Sequence, residues 1–230
     1  MAAPLFGNSG SFERDYYHVL IVGAPGAGKS SSLNKLDVKT TGFINAECKP
    51  LPFRNQFEHI VRTPSWDSFL QAYDLFAKDP EIKLIVVDSI SKAFDWLLLK
   101  ASAEKKGFDI YSMYNLEIGK FFQKMNMTEK EVIITAHYEI LNVEGVTERR
   151  TKVKGKEWEG VIEKEFTIVL FADKEGKDPL KPAIYRFWLN KPLTTAKCPP
   201  DIFPGKTSLP NDMAPIIATL VEYATPKGNS

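Results

Sequence analysis

The chain has few of the features that mark specialised classes of protein. Its two cysteines, Cys48 and Cys198, are too few for a disulfide framework or a cysteine metal cluster, so we expect a reduced, intracellular protein. The formal net charge is only +1, which excludes an overall basic field that would attract nucleic acid. Contact with a nucleic acid would therefore require a local basic patch.

Signal-peptide and membrane patterns are also lacking. The N-terminus has no basic region followed by an apolar core. A bilayer span needs about 20 predominantly apolar residues, and runs such as LIVV and WLLL are far shorter. We therefore expect a soluble, cytoplasmic protein that makes no contact with a membrane.

The length and composition fit one globular domain. The chain has 230 residues, of which 43% are hydrophobic and 26% charged, and this suits one large α/β domain over residues 16–225. Residues 1–15 mix Gly, Ser, Asn and Pro with the isolated Phe6 and Phe12. They are predicted to form a flexible N-terminal arm, unless one of these phenylalanines docks on a neighbouring subunit.

What the chain does have is a phosphate-binding loop. Apolar residues 19–22 predict a short buried strand, and the sequence then matches G-x-x-x-x-G-K-[ST]. Glycines let successive N–H groups turn toward a phosphate, and a helix over residues 31–36 would present its positive end to that anion. Lys29 is expected to reach the β- and γ-phosphates, and the Ser30 hydroxyl to bind Mg²⁺. The predicted nucleotide-binding residues are Gly23, Ala24, Pro25, Gly26, Ala27, Gly28, Lys29, Ser30 and Ser31.

Three more predicted strands end in a polar side chain. Within residues 41–48 we predict a strand that ends in Glu47. Its side chain is either a carboxylate that polarises an attacking water or a solvated group at a strand end. A buried run ends in Asp88, which is expected to hold the Mg²⁺ ion. Another ends in His137, either a γ-phosphate sensor or an ordinary hydrogen-bonding group. Because open α/β sheets bind ligands at the carboxyl ends of their strands, these side chains should meet the phosphate-binding loop.

One concentrated basic stretch, residues 142–160, follows the strand that ends in His137. An exposed hairpin of alternating charge would explain the pattern. The alternative, which we favour beside a phosphate-binding loop, is a mobile loop whose cations contact the phosphates of a nucleic-acid strand. The predicted DNA-binding residues are Arg149, Arg150, Lys152, Lys154 and Lys156.

The other segments complete the α/β pattern. The further predicted strands are residues 57–63, 166–171 and 184–190, of which the last two form an antiparallel extension of the sheet. The predicted helices are one that starts at Pro64-Ser65 and others over residues 91–105, 114–125 and 211–223. Residues 107–113 interrupt the helical pattern, and residues 192–212 are predicted to be mostly irregular.

The order of these motifs resembles the RecA-type core ATPases. FINAE, which ends in Glu47, is similar to the strand that carries the catalytic glutamate in RecA, and LIVVDS is similar to its metal-binding strand. IITAH takes the place of the RecA sensor strand, and the likeness spans residues 16–191. It is nearest to the phage-encoded RecA-like nucleotide-binding proteins, some of which serve in single-strand annealing and recombination. LNKPLTTAKCPPDIF and LPNDM resemble the C-terminal part of that family.

The resemblance implies a fold, cofactors and partners. The fold is a RecA-like P-loop NTPase core, a mostly parallel α/β sheet flanked by helices, and the cofactors are ATP and Mg²⁺. The partners are single-stranded DNA, further copies of the chain in a ring or filament with active sites between subunits, and a single-strand-binding protein. Residues 107–113 and 142–160 match the two DNA-facing loops of RecA. For a phage-encoded protein, the cytoplasm is that of the host cell.

The resemblance also implies a cation that a neighbouring subunit supplies to the γ-phosphate. By position, Lys191 and also Lys197 resemble those donors, and two ordinary surface lysines are the alternative. A cation placed on developing transition-state charge is worth on the order of 10³-fold in rate. Phe53 is a candidate ring on which adenine would rest.

The chain departs from RecA in two ways. It has no obvious extra domain for duplex DNA, and His137 stands at the sensor position where RecA has Gln. These departures favour ATP-dependent single-strand binding or annealing assistance over strand exchange as RecA performs it.

Three functions therefore remain open. The leading hypothesis is an Mg²⁺-dependent ATPase, stimulated by single-stranded DNA, that supports annealing or homologous recombination as an oligomer. A P-loop small-molecule kinase would use the basic stretch as a lid, although a carboxylate at a strand end favours activation of water. The third hypothesis is a nucleotide-gated scaffold without DNA activity.

Overall fold

The computed structural model describes residues 14–54, 56–143, 145–176 and 182–225. The strands are β1 His18–Gly23, β2 Thr41–Asn45, β3 His59–Arg62, β4 Leu84–Asp88, β5 Glu131–Ala136, β6 Tyr138–Val143, β7 Val146–Thr151, β8 Ile168–Glu175, β9 Ile184–Trp188 and β10 Ser208–Pro210. The α-helices are α1 Trp66–Lys78, α2 Ile90–Glu104, α3 Phe108–Asn126 and α4 Met213–Ala224. Most of the predicted N-terminal arm, including Phe6 and Phe12, lies outside the described residues.

An eight-stranded sheet organises the protein, in the order β10-β9-β8-β1-β5-β4-β2-β3. The pairings from β8 through β1, β5, β4 and β2 to β3 are all parallel. Strands β9 and β10 then extend the sheet in antiparallel fashion beyond β8. This confirms the predicted fold class, a mostly parallel α/β sheet with flanking helices and an antiparallel C-terminal extension.

Both faces of the sheet are covered, which explains the uninterrupted apolar runs of β1, β4 and β5. Helices α1, α2 and α3 bury an aromatic core against one face, with Trp66, Phe94 and Phe121 at its centre. Helix α4 and the turn after the phosphate-binding loop cover the other face. A side chain at Gly42 would come within 2.6 Å of the Phe76 ring, so only glycine lets α1 pack this closely on β2.

Register brings the carboxyl ends of the inner strands to one edge. Val22 of β1 is paired with Ala136 of β5, and Asn45 of β2 is paired with Asp88 of β4. The residues that follow these strand ends therefore emerge side by side, as the sequence pattern predicts.

The predicted helix over residues 31–36 is wrong. A 3₁₀ turn covers only Ser31–Leu33, and turns follow it. Serine, asparagine and aspartate favour local hydrogen bonds over helix interiors, and the sequence SSSLNKLD is rich in them. The dipole of a long helix therefore does not contribute to the phosphate site.

Two predicted loops also contain regular structure. Residues 108–113, assigned to a DNA-facing loop, form the first turns of α3, whose start was predicted at residue 114. The second, residues 142–160, includes β7 of the antiparallel hairpin β6–β7, which is the alternative that sequence reasoning ranked lower. The short strand β10 lies in the segment predicted to be irregular.

None of the described helices combines the length and apolar character needed to cross a membrane.

Candidate nucleotide-binding site

A cavity of about 500 Å³ opens at the carboxyl edge of the inner strands. Its walls include Glu47, Asp88 and His137, so the three strand-end side chains do meet the phosphate-binding loop. The loop contributes Pro25, Gly26, Gly28, Lys29, Ser30 and Ser31. Three other predicted loop residues, Gly23, Ala24 and Ala27, do not line the cavity.

Lys29 lies folded back on its own loop. Its Nζ donates hydrogen bonds to the carbonyl oxygens of Gly23, at 2.8 Å, and Ala24, at 2.9 Å. The residue is only 6% exposed, and burial lowers the pKa of the Lys29 ammonium to about 8, although Asp88 and Glu47 oppose that shift. A phosphate in place of these two carbonyl groups would raise the pKa of Lys29 again, because a nearby anion favours the charged form.

A chain of polar contacts runs from Lys29 through His137 to Glu47. Lys29 Nζ lies 3.4 Å from His137 Nδ1, and His137 Nε2 lies 3.7 Å from Glu47 Oε1. The ammonium is the donor in the first contact, so Nδ1 accepts and the ring proton sits on Nε2, facing the carboxylate. The imidazole thus connects the phosphate-binding lysine to the carboxylate of β2.

Glu47 follows β2 by two residues, and main-chain hydrogen bonds tie it to β4. Its N–H donates to the Asp88 carbonyl oxygen, at 3.3 Å. The Ser89 hydroxyl donates to Glu47 Oε1 at 2.7 Å, and Lys49 Nζ lies 3.1 Å from Oε2. His137, Ser89 and Lys49 together hold the pKa of Glu47 well below its ordinary value, so the carboxylate stays ionised at neutral pH.

Asp88 is almost fully buried, with 6% of its surface exposed. Its carboxylate accepts hydrogen bonds from the hydroxyl groups of Thr135 and Ser30. Burial nevertheless raises the pKa of Asp88 above its ordinary value, because the charged form has been taken out of water. Such a carboxylate gains most from a nearby cation.

The donor set fits Mg²⁺ held largely by phosphate and water. Within the described ranges, no group of three or more His, Cys, Asp or Glu side chains could hold a metal by itself. The hydroxyl of Ser30 and the carboxylate behind it supply hard oxygen donors, as Mg²⁺ prefers. Nothing in this arrangement resembles a cage built for zinc or another soft-ligand metal.

The predicted DNA-binding residues are divided between two environments. Arg150 pairs with Glu148 at 2.7 Å and donates to the Gly160 carbonyl oxygen at 2.8 Å, so it holds the hairpin rather than facing solvent. The Arg149 guanidinium lies 5.9 Å from the centre of the Tyr138 ring. Lys152, Lys154 and Lys156 are exposed.

The predicted cation donors and adenine ring lie away from the cavity. Lys191 forms an ion pair with Asp173 and stands over the rings of Phe171 and Trp188. The backbone of Lys197 bridges to β8 at Val169. Phe53 packs against the Phe57 ring, with ring centres 6.3 Å apart, so it does not line the nucleotide cavity.

The cavity lining also includes residues that sequence reasoning missed, among them Lys49, Tyr185 and Asn211. Tyr185 and Asn211 come so near the phosphate-binding loop that a side chain at Gly28 would lie 2.9 Å from each. Antiparallel pairing could have revealed Tyr185, because it brings the first residues of β9 to the carboxyl edge of β8. No sequence pattern marked Asn211, which precedes α4.

A family model and a solved structure match this chain. Residues 15–203 match the family described as AAA domain. One solved structure, a KaiC-like protein from the hyperthermophilic archaeon Pyrococcus horikoshii OT3, aligns with 16% identity and a TM-score of 0.47, covering 75% of this chain and 77% of that one. No curated protein matches the sequence. The family match covers most of the chain, and the phosphate-binding loop lines the cavity. This protein therefore belongs to the AAA domain family and is a P-loop ATPase.

Proposed function

We propose that the protein is an Mg²⁺-dependent ATPase that binds single-stranded DNA and works as an oligomer. The observation that carries this proposal is the convergence of Lys29, Glu47, Asp88 and His137 on one cavity. An amine for the phosphates, a carboxylate for the metal and a second carboxylate for water are the parts that phosphoryl transfer to water requires.

Each side chain has a role that follows from its contacts. Lys29 would leave the carbonyls of Gly23 and Ala24 for the β- and γ-phosphates. Ser30 and Asp88 would hold Mg²⁺, which when bound neutralises charge on the phosphates. Glu47, kept ionised by its neighbours, would accept a hydrogen bond from the attacking water and orient it toward the γ-phosphate.

His137 is proposed as the sensor of the γ-phosphate. When Lys29 turns to the nucleotide, the imidazole loses the donor at Nδ1. The main chain of His137 is bonded on both sides: its N–H donates to Ser91 Oγ at 3.0 Å, and its carbonyl accepts from the Lys152 N–H at 2.8 Å. A shift of His137 would therefore be transmitted through this hydrogen bond to Lys152, at the start of the basic segment 152–156.

Single-stranded DNA is proposed as the polyanion because a series of exposed lysines begins at Lys152, whose N–H is bonded to the carbonyl oxygen of His137. Lys152, Lys154 and Lys156 are exposed at alternate positions of a segment that bends at residues 154–155, and exposed cations so spaced suit contact with the phosphates of a strand. The role in annealing or recombination, in a phage-infected cell and beside a single-strand-binding protein, rests on the resemblance of residues 16–191 to the phage RecA-like proteins. Association into a ring or filament rests on the same resemblance.

The cation that completes the site is proposed to come from a neighbouring subunit. Within the described residues, neither Lys191 nor Lys197 lines the cavity of its own chain, which is what a contribution in trans requires. Lys191 would have to exchange its bond to Asp173 for the neighbour's γ-phosphate.

Phosphate release from ATP, measured with and without oligo(dT), tests the proposal. We expect Mg²⁺-dependent release that rises with oligo(dT) and disappears in Lys29→Ala, with an oligo(dT) affinity that falls as salt rises. Transfer of the phosphate to a small acceptor instead of water would establish a kinase. Release without any response to the oligonucleotide, or binding of ATP without turnover, would contradict the DNA or the ATPase part.

A further inference from the structure

A second cavity, of about 530 Å³, lies directly behind the nucleotide cavity. The two cavities share Glu47, Lys49 and His137 as a common wall. Helix α2 forms another wall, and Tyr114 of α3 and the start of the basic segment 152–156 form further parts of the lining. Whatever occupies the second cavity therefore touches the residues that are proposed to activate water and sense phosphate.

The lining of the second cavity carries an excess of positive charge. Four lysines, Lys49, Lys92, Lys152 and Lys154, face it, against the carboxylates of Glu47 and Asp95. Lys92 is partly buried, and its Nζ lies 4.3 Å from the centre of the Trp96 ring, so this cation is held over an aromatic surface. Lys152 and Lys154 project from the segment whose main chain is bonded to His137 and to the Tyr114 hydroxyl. Cationic side chains beside an aromatic surface suit a ligand in which anionic groups are joined by an extended, partly apolar chain.

Lys49 stands at the junction of the two cavities. Its carbonyl oxygen accepts a hydrogen bond from Asn45 Nδ2 at 2.7 Å, which fixes the backbone. Its side chain is 75% exposed and ends 3.1 Å from Glu47 Oε2. Ser89 and His137 face the other carboxylate oxygen, Oε1. Lys49 therefore contacts Oε2, the carboxylate oxygen that would otherwise accept a hydrogen bond from the attacking water.

We propose that the second cavity binds the phosphodiester backbone of a single strand, and that the bound phosphate draws Lys49 away from Glu47. This inference rests on the proposed function and adds the site and the means of DNA stimulation. Exposed ion pairs are weak, so a phosphate flanked by Lys92, Lys152 and Lys154 competes well for the fourth lysine. Removal of Lys49 leaves Glu47 Oε2 open to water while Ser89 keeps the carboxylate in place.

The Lys49→Gln variant tests the switch. Without oligo(dT), ATP hydrolysis should rise about fivefold over the wild type, which corresponds to an ion pair worth ~1 kcal/mol. Addition of oligo(dT) should then stimulate hydrolysis much less than in the wild type. Lys120→Gln is the control, because Lys120 pairs with Glu117 at 2.8 Å on α3 and faces neither cavity. A fall in hydrolysis would make Lys49 a catalytic cation and overturn the inference, as would an unchanged rate and stimulation.

The Lys92→Gln variant tests the site, since only the second cavity places this α2 lysine beside the strand. Oligo(dT) affinity should weaken, and its dependence on log salt should become shallower by about one ion. ATP affinity should not change, and oligo(rU) in place of oligo(dT) separates DNA from RNA. Wild-type protein that binds neither oligonucleotide would refute the proposed function itself. Wild-type binding that Lys92→Gln leaves intact would refute only the second cavity.

Discussion

The nucleotide cavity and residues 149–156, which include the basic segment 152–156, hold their charged side chains in different ways. In the cavity, two of the charges are anchored by buried groups: Lys29 by two carbonyls, and Asp88 by the hydroxyls of Thr135 and Ser30. Along residues 149–156, Arg150 is tied to Glu148 and Gly160, whereas Lys152, two residues on, is exposed. A preorganised site is suited to chemistry, and exposed cations are suited to a partner of variable shape.

The largest expected effect is in the preorganised site. Glu47→Gln keeps the size of the side chain and its bond from Ser89 but cannot accept a proton from water. ATP hydrolysis should fall by about 10²–10⁴-fold, while ATP binding persists. Phosphate release under single-turnover conditions and calorimetric titration with ATP measure the two quantities. Turnover close to that of the wild type would show that the carboxylate does not orient water.

A second effect distinguishes a buried cation from an exposed one. Because the pKa of Lys29 is lowered to about 8, the folded protein binds fewer protons than the unfolded chain from about pH 8 up to 10.5, the ordinary lysine value. The free energy of unfolding should therefore rise across this window relative to Lys29→Met, by about 2–3 kcal/mol. Denaturant titrations of both proteins at about pH 7 and about pH 10 measure the difference. Lys152→Met, in which an exposed lysine is lost, should show no such change relative to the wild type.

Substitutions of Arg150 and of Lys152, compared with each other, show which cations of residues 149–156 contact phosphate. Arg150→Gln loses the bond to the Gly160 carbonyl and the pair with Glu148, and should lower the free energy of unfolding by about 1–2 kcal/mol. Its effect on the salt dependence of oligo(dT) binding should be small. Lys152→Gln should leave stability unchanged and reduce the salt slope by about one ion. The opposite assignment of effects would mean that the arginine, and not the lysine, contacts phosphate.

The smallest effect is expected at the rim of the nucleotide cavity. Tyr185 presents its ring beside Gly28 and carries no charge, so Tyr185→Ala should weaken ATP binding by about tenfold or less through lost contact area. Phe53→Ala provides the comparison, because Phe53 packs against Phe57 outside the cavity. Its ATP affinity should stay near that of the wild type even if stability falls. Equal losses of affinity in the two variants would show that Tyr185 does not contact the nucleotide.

The parts of the site that could be predicted from sequence are those that depend on strand order. A buried run such as LIVVD predicts a strand. The polar residue that ends it then lies at the carboxyl edge of the sheet, where ligands bind. Asp88, Glu47 and His137 were found in this way. Their positions beside Lys29 follow from parallel register, which a regular sheet enforces over its whole width.

The parts that could not be predicted depend on contacts between distant segments. Tyr185 reaches the phosphate-binding loop only because β9 is antiparallel, and Asn211 only because the residues before α4 pack beside Gly28. Arg150 and Lys152 look alike in sequence, yet Gly160 and Glu148 bind only the first. Lys49 gave no signal at all, since its importance arises from the one carboxylate oxygen beside it.

A structure of the protein with Mg²⁺ and a non-hydrolysable ATP analogue would show whether Lys29, Glu47 and Asp88 act together on the terminal phosphate. In that structure, Lys29 Nζ should have moved from the Gly23 and Ala24 carbonyls to the terminal phosphates, within about 3 Å. A water on Glu47 Oε2 should then face the γ-phosphate, with Ser30 and Asp88 beside the metal. A terminal phosphate beyond the reach of both Glu47 and Asp88 would contradict the account.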